Sequence, residues 1–109
     1  MIEPGVPAHG ATLGEILRTL EAAGFKGQMA ARPDGMILCL TCRQERPARE
    51  FQLGAMRRTE GASDPADMLA VVGLTCPNCS TQGTAVLGYG PEADPVDAEV
   101  VVRLGVVDR

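Results

Sequence analysis

The chain has 109 residues and a mass of 11.4 kDa, carries a formal charge of −4, and holds four cysteines, one histidine and no tryptophan. As a globule this short it buries only about two-thirds of its unfolded surface, and Phe25, Phe51 and Tyr89 are its whole aromatic supply. The core must therefore be aliphatic and thin, and the acidic total excludes wholesale attraction to nucleic acid or anionic membrane.

Residues 1–11, rich in Gly and Pro, are expected to form a flexible N-terminal arm, and residues 12–109 a single domain. The opening MIEPGVPAHG has neither the basic region nor the apolar stretch of a secretion signal, so a cytoplasmic location is the default expectation. Thr12-Leu13-Gly14-Glu15 reads as a capping box, in which hydroxyl and carboxylate each serve the other's backbone amide. Leu13, Ile16, Leu17 and Leu20 follow as one apolar stripe, and Gly24 is placed to stop an amphipathic helix over 13–23.

Phe25 to Ala31 is expected to be a strand, and Arg32-Pro33-Asp34-Gly35 has strong turn chemistry. Met36 to Leu40 reads as a second strand, Arg43 to Arg49 as a polar connection, and Glu50 to Met56 as a half-buried strand of alternating polarity. Gly61-Ala62-Ser63-Asp64-Pro65 breaks that strand. Met68 to Leu74 is wholly apolar, as in a central strand, and is far too short to span a bilayer. Thr84 to Tyr89 can return as its hairpin partner.

After a loop at Gly90-Pro91-Glu92-Ala93, the segment 94–104 carries a full set of helix signals. Asp94 is a candidate N-cap, Pro95 suits the first helical position, and Asp97 and Glu99 favour the positive helix end. Val96, Val100 and Leu104 would be its apolar stripe and Gly105 its stop. The β-branched run Val100-Val101-Val102 is the competing case for a strand in 94–107, but the complete set of start signals favours the helix.

All the cysteines fall in two pairs, Cys39-Leu40-Thr41-Cys42 and Cys76-Pro77-Asn78-Cys79, with 33 residues between the inner members. Two close pairs of thiolates are the donor set of a tetrahedral structural zinc, with bonds of about 2.3 Å. The expected ligands are Cys39, Cys42, Cys76 and Cys79, holding one zinc ion per chain. A structural zinc contributes roughly 10–16 kcal/mol to a small metal-coupled fold, comparable to the whole net stability of a domain. The four thiolates would leave −2 on the cluster, which Arg43 and Arg46 just outside the first pair can offset.

Strand, C-x-x-C, strand thus occurs twice, with each pair in the bend of a hairpin. Over roughly residues 36–89 this resembles the zinc-ribbon group of small proteins, in which two such knuckles face each other across one ion. The resemblance implies an antiparallel zinc-ribbon sheet, and with the N-terminal amphipathic helix and the C-terminal helix read from their own residues the expected fold is α+β. Two departures stand out. Arg43 and Ser80 occupy positions where such knuckles commonly have Gly, and the long spacer requires a further hairpin between the knuckles.

Several rival chemistries fit less well. Rubredoxins also present two C-x-x-C pairs, to iron, but within an aromatic-rich core that this chain lacks. Cys-Pro-Asn-Cys is similar to a thioredoxin-like redox motif, which needs a helix after the pair and leaves Cys39 and Cys42 unexplained. A redox-sensitive zinc switch remains an alternative. His9, the sole histidine, lies in the arm, so no Ser–His–Asp or Cys–His arrangement is credible. Asp64-Pro65-Ala66-Asp67 and Asp94-Pro95-Val96-Asp97 read as turn or helix starts rather than paired catalytic carboxylates.

Charge is uneven along the chain. Residues 26–58 hold seven cations against three anions, while 59–109 hold eight anions against two cations. Arg43, Arg46, Arg49, Arg57 and Arg58 make region 43–58 the one candidate anion or nucleic-acid surface, with Arg49 and Phe51 on one strand face. The missing aromatic stacking platform disfavours single-stranded nucleic acid. The expectation is a non-catalytic structural-zinc protein acting as an interaction or adaptor module, whose partner is another protein and not a membrane. A nucleic-acid-associated accessory or regulatory factor is the alternative.

Overall fold

Helix α1 spans Leu13–Ala22, and the cap expected at its start is complete. Thr12 Oγ1 accepts from the Glu15 amide at 3.2 Å and Glu15 Oε1 accepts from the Thr12 amide at 3.0 Å, so two donors that the helix leaves unpaired are satisfied. The computed structural model describes residues 12–59, 68–89 and 93–105. The arm 1–11 with His9, the break at 61–65, the motif Asp64 to Asp67 and most of the loop before Ala93 lie outside the described residues.

Six strands follow: β1 Gly27–Arg32, β2 Met36–Cys39, β3 Gln44–Pro47, β4 Gln52–Arg58, β5 Leu69–Thr75 and β6 Gln82–Gly88. They form one sheet in the order β3-β2-β1-β6-β5-β4. Helix α2, Pro95–Leu104, closes the described chain. Its start signals prevail over the β-branched run: Asp94 accepts from the Val96 amide, Pro95 opens the first turn, and Gly105 ends the helix at φ +73°. The α+β expectation holds.

Three expectations change in detail. The sheet is antiparallel except at one junction, β1 with β6, where Gly27 faces Gly83 in parallel register. A methyl carbon on Gly83 would lie 2.6 Å from the Gly27 carbonyl carbon, so only a glycine allows the two backbones to approach this closely. The span Arg43 to Arg49 is not merely a connection. It contains β3, an edge strand bearing Glu45, Arg46 and Pro47, whose charge and missing amide discourage further pairing. Phe51 is not a strand neighbour of Arg49: a one-turn 3-10 helix at Ala48–Glu50 leaves Arg49 exposed while Phe51 is buried.

The sheet must curl, for a reason of reach. β3 and β4 are consecutive in sequence yet terminal in the sheet. Five strand spacings of about 4.8 Å would separate them by about 24 Å if flat. Pro47 and Gln52, the ends of their connection, are five residue steps apart, which span at most about 18 Å. The concave face so formed gathers the main core: Met29, Ile37, Val72, Leu74, Ala85 and Leu87 from the strands, Ala48 and Phe51 from the connection, and Val100 and Val101 from α2. Each fully buried aliphatic side chain here contributes on the order of 1.5–3 kcal/mol.

The convex face is more thinly covered. There Ile16 and Leu20 of α1 pack on Val71, with Leu13, Leu17, Phe25 and Ala55 around them. Among the described residues no helix is long and apolar enough to cross a membrane.

Candidate metal centre

Each cysteine pair sits in the bend of a hairpin, β2 to β3 for the first and β5 to β6 for the second. Both bends close in the same way. The amide of Arg43 donates to the Cys39 carbonyl at 2.7 Å, and the amide of Ser80 to the Cys76 carbonyl at 3.0 Å. To make that turn Arg43 and Ser80 adopt φ +64° and +65°, the left-handed conformation that glycine takes at no steric cost. The two departures noted in the sequence are therefore two positions of backbone strain, equivalent in the two knuckles.

The curl brings the knuckles together from β2 and β5, which two other strands separate within the sheet. All four sulfurs lie within 4.8 Å of one another. Cys39 Sγ stands 3.8 Å from Cys79 Sγ, and Cys42 Sγ 3.9 Å from Cys76 Sγ. A tetrahedron with metal–sulfur bonds of about 2.3 Å has edges of about 3.8 Å. A disulfide needs about 2.05 Å, and the four cysteines are unbridged. Donor type, number and spacing all fit a four-thiolate metal site, and the four cysteines are arranged to hold a metal ion.

Burial and hydrogen bonding divide the sulfurs. Cys39 and Cys76 are buried in the core, Cys42 is half-buried and Cys79 is exposed. Burial pushes the Cys39 thiol up to about 11, although the amides of Cys42 and Thr41 pull in the opposite direction. The Thr81 hydroxyl, followed by the Thr81 amide, lowers Cys79 to about 6; its Oγ1 lies 3.1 Å from the sulfur. Cys76 Sγ accepts from the Asn78 amide at 3.3 Å. Without a dication the buried Cys39 would keep its proton at neutral pH, so the four-thiolate state needs the metal.

Thr81 and the Asn78 amide are contributors that the sequence reading passed over. A hydroxyl residue two positions after the last cysteine was the available signal for Thr81.

The arginines are distributed differently from their sequence clustering. Arg46 pairs with Glu50 at 2.7 Å. Arg43 is exposed at the first knuckle. Arg57 and Arg58 pair with Val71 and Ala70 at the far end of β4, whose near end, Gln52, faces Thr75 beside Cys76. The length of that strand, about 20 Å, separates them from the metal end. The expected anion region is thus spread along the molecule rather than gathered at the cysteines. Asp94 and Asp97 are both structural, the first as N-cap and the second accepting from the Gly88 amide at 3.0 Å.

Comparison with protein-family models, with curated proteins and with solved structures gives no significant match.

Proposed function

We propose that this chain is a non-catalytic module whose fold is held by one zinc ion, and that it acts by binding another protein. The observation that carries the zinc reading is the set of four sulfurs spaced like the corners of a zinc–thiolate tetrahedron across two facing hairpin bends. Zinc suits this donor set because it has no redox chemistry and accepts four thiolates in a closed tetrahedron. Such a site has no open position for substrate, which supports a structural role. An interaction role is supported by the exposed apolar side chains Leu40, Leu53 and Val86 on the sheet and its first knuckle.

Elemental analysis of protein purified under reducing conditions tests the metal. One zinc per chain is expected, and a folded protein with no metal would overturn the proposal. Iron would show itself by colour. The nucleic-acid alternative gains no support from the dispersal of Arg43, Arg46, Arg49, Arg57 and Arg58.

A further inference from the structure

Among the described residues the outer edge of β4 is the longest open strand edge of the sheet, since β3 at the other end has four residues against seven and carries Pro47. The direction of its backbone groups follows from the ladder. The Thr59 amide donates to the Leu69 carbonyl at 3.0 Å, so Ala55, Arg57 and Thr59 turn their backbone groups toward β5. The intervening Met56 and Arg58 turn theirs outward. Gln52, Leu53, Gly54, Arg57 and Arg58 are exposed, and Leu53 is 40% exposed despite its size.

The edge is guarded by its own cation. The Arg57 guanidinium donates to the Met56 carbonyl at 2.9 Å, covering the outward acceptor that a new strand would use. Arg58 lies over the Tyr89 ring at 5.5 Å. Neither has a carboxylate partner among the described residues. At the non-hydrogen-bonded site opposite Arg57 the side chains of an added strand come closest, so a carboxylate there can take the guanidinium. That exchange replaces a neutral acceptor by a charged one and frees the Met56 carbonyl for the ladder.

We propose that the β4 edge binds an extended, acidic segment of a partner protein by strand addition, with Arg57 moving from the Met56 carbonyl to a carboxylate of that segment. This rests on the interaction-module reading and names its surface and partner chemistry. Backbone donors in a row call for an extended peptide, and the cationic end of the strand selects its charge. A nucleic acid would use the arginines but not the outward amides of Met56 and Arg58.

The test uses the full, zinc-loaded chain and a short blocked peptide of alternating Val and Glu, followed by amide NMR and titration calorimetry. Binding is expected, with slowed hydrogen exchange at the Met56 and Arg58 amides. A matching peptide with N-methylated central amides, which loses ladder hydrogen bonds, and one with Lys in place of Glu, which loses the charge-assisted one, are each expected to bind at least about tenfold more weakly. Arg57→Gln should abolish the preference for Glu over Lys. Three results would overturn the proposal: no binding of the Glu peptide, equal binding of the N-methylated peptide, or tighter binding of oligothymidylate through the same arginines. Zinc content is measured on every sample, so failure of the edge reading with zinc intact is distinct from failure of the metal reading.

Discussion

The two faces of the sheet achieve stability by different means. The concave face encloses the main core but is spanned by strands that lie apart in the sheet, and its two ends meet only because the sheet curls. Cys39 and Cys76 are themselves members of that core, so a metal held by the four cysteines would tie the curl closed. The convex face needs no such tie: α1 lies on it through a small cluster centred on Ile16, Leu20 and Val71. A thin aliphatic core can thus be sufficient where a helix simply covers a sheet, yet need a metal where the sheet must fold back on itself.

This contrast sets the order of expected effects. Largest is loss of the metal. Cys39→Ser, or a strong chelator, should unfold the concave face, since roughly 10 kcal/mol of coupled binding energy is comparable to the whole net stability of a small domain. Loss of protected amides in β2 and β5, read by hydrogen exchange, checks this, and a Cys39→Ser protein that still melts cooperatively near the parent temperature would contradict it. Next are core truncations. Leu74→Ala, on the concave face with a side chain entirely buried, should cost about 2–5 kcal/mol. Ile16→Ala should cost less and open α1 locally, leaving zinc bound, as metal content after mild urea would show.

A smaller effect concerns the exposed sulfur. Hydrogen bonds from the Thr81 hydroxyl and amide favour the Cys79 thiolate. A thiol lowered in this way stabilises the fold above its ordinary value near 9 and loses that contribution as pH falls through about 6. Thr81→Val removes the larger of the two donors, so protons compete better for the sulfur. Zinc release on acidification should therefore begin at a higher pH than in the parent, measured with a chromogenic chelator. An unchanged or lower release pH would mean that Thr81 does not stabilise the Cys79 thiolate. Cys39 has the opposite sign: raised to about 11 by burial, its contribution to the metal-free fold is fully present below about 9 and is lost as pH rises through about 11.

Smallest is the strain in the knuckles. Arg43→Gly and Ser80→Gly each place glycine where φ is already positive, relieving about 1 kcal/mol of left-handed strain against a comparable entropic cost of glycine in the unfolded chain. The zinc-loaded melting temperature should stay level or rise slightly. A clear fall would mean that these side chains make stabilising contacts of their own.

Much of the molecule was legible from its residues because the signals were local. The Thr12–Glu15 cap, the apolar run of β5, the caps of α2 and the paired cysteines each depend on neighbours in sequence, and each is found in place. What escaped depends on distant contacts. β3 is Gln44, Glu45, Arg46 and Pro47, with no apolar alternation, and only its pairing with β2 makes it a strand. The parallel seam of β1 and β6 rests on two glycines meeting, Gly27 and Gly83, which no window of sequence reveals. Arg43 and Ser80 were visible as departures from glycine, but their equivalence as strained turn residues appears only from the backbone angles. The arginines between 43 and 58 are close in sequence but not in space, because the 3-10 turn and the strand that follows carry them apart.

One metal ion across Cys39, Cys42, Cys76 and Cys79 is proposed to hold the concave face closed. The most direct measurement is zinc content and amide protection followed together through a chelator titration. One zinc per chain at the start, then joint loss of zinc and of β2 and β5 protection, is the expected result. Full removal of zinc with those strands still protected would contradict it.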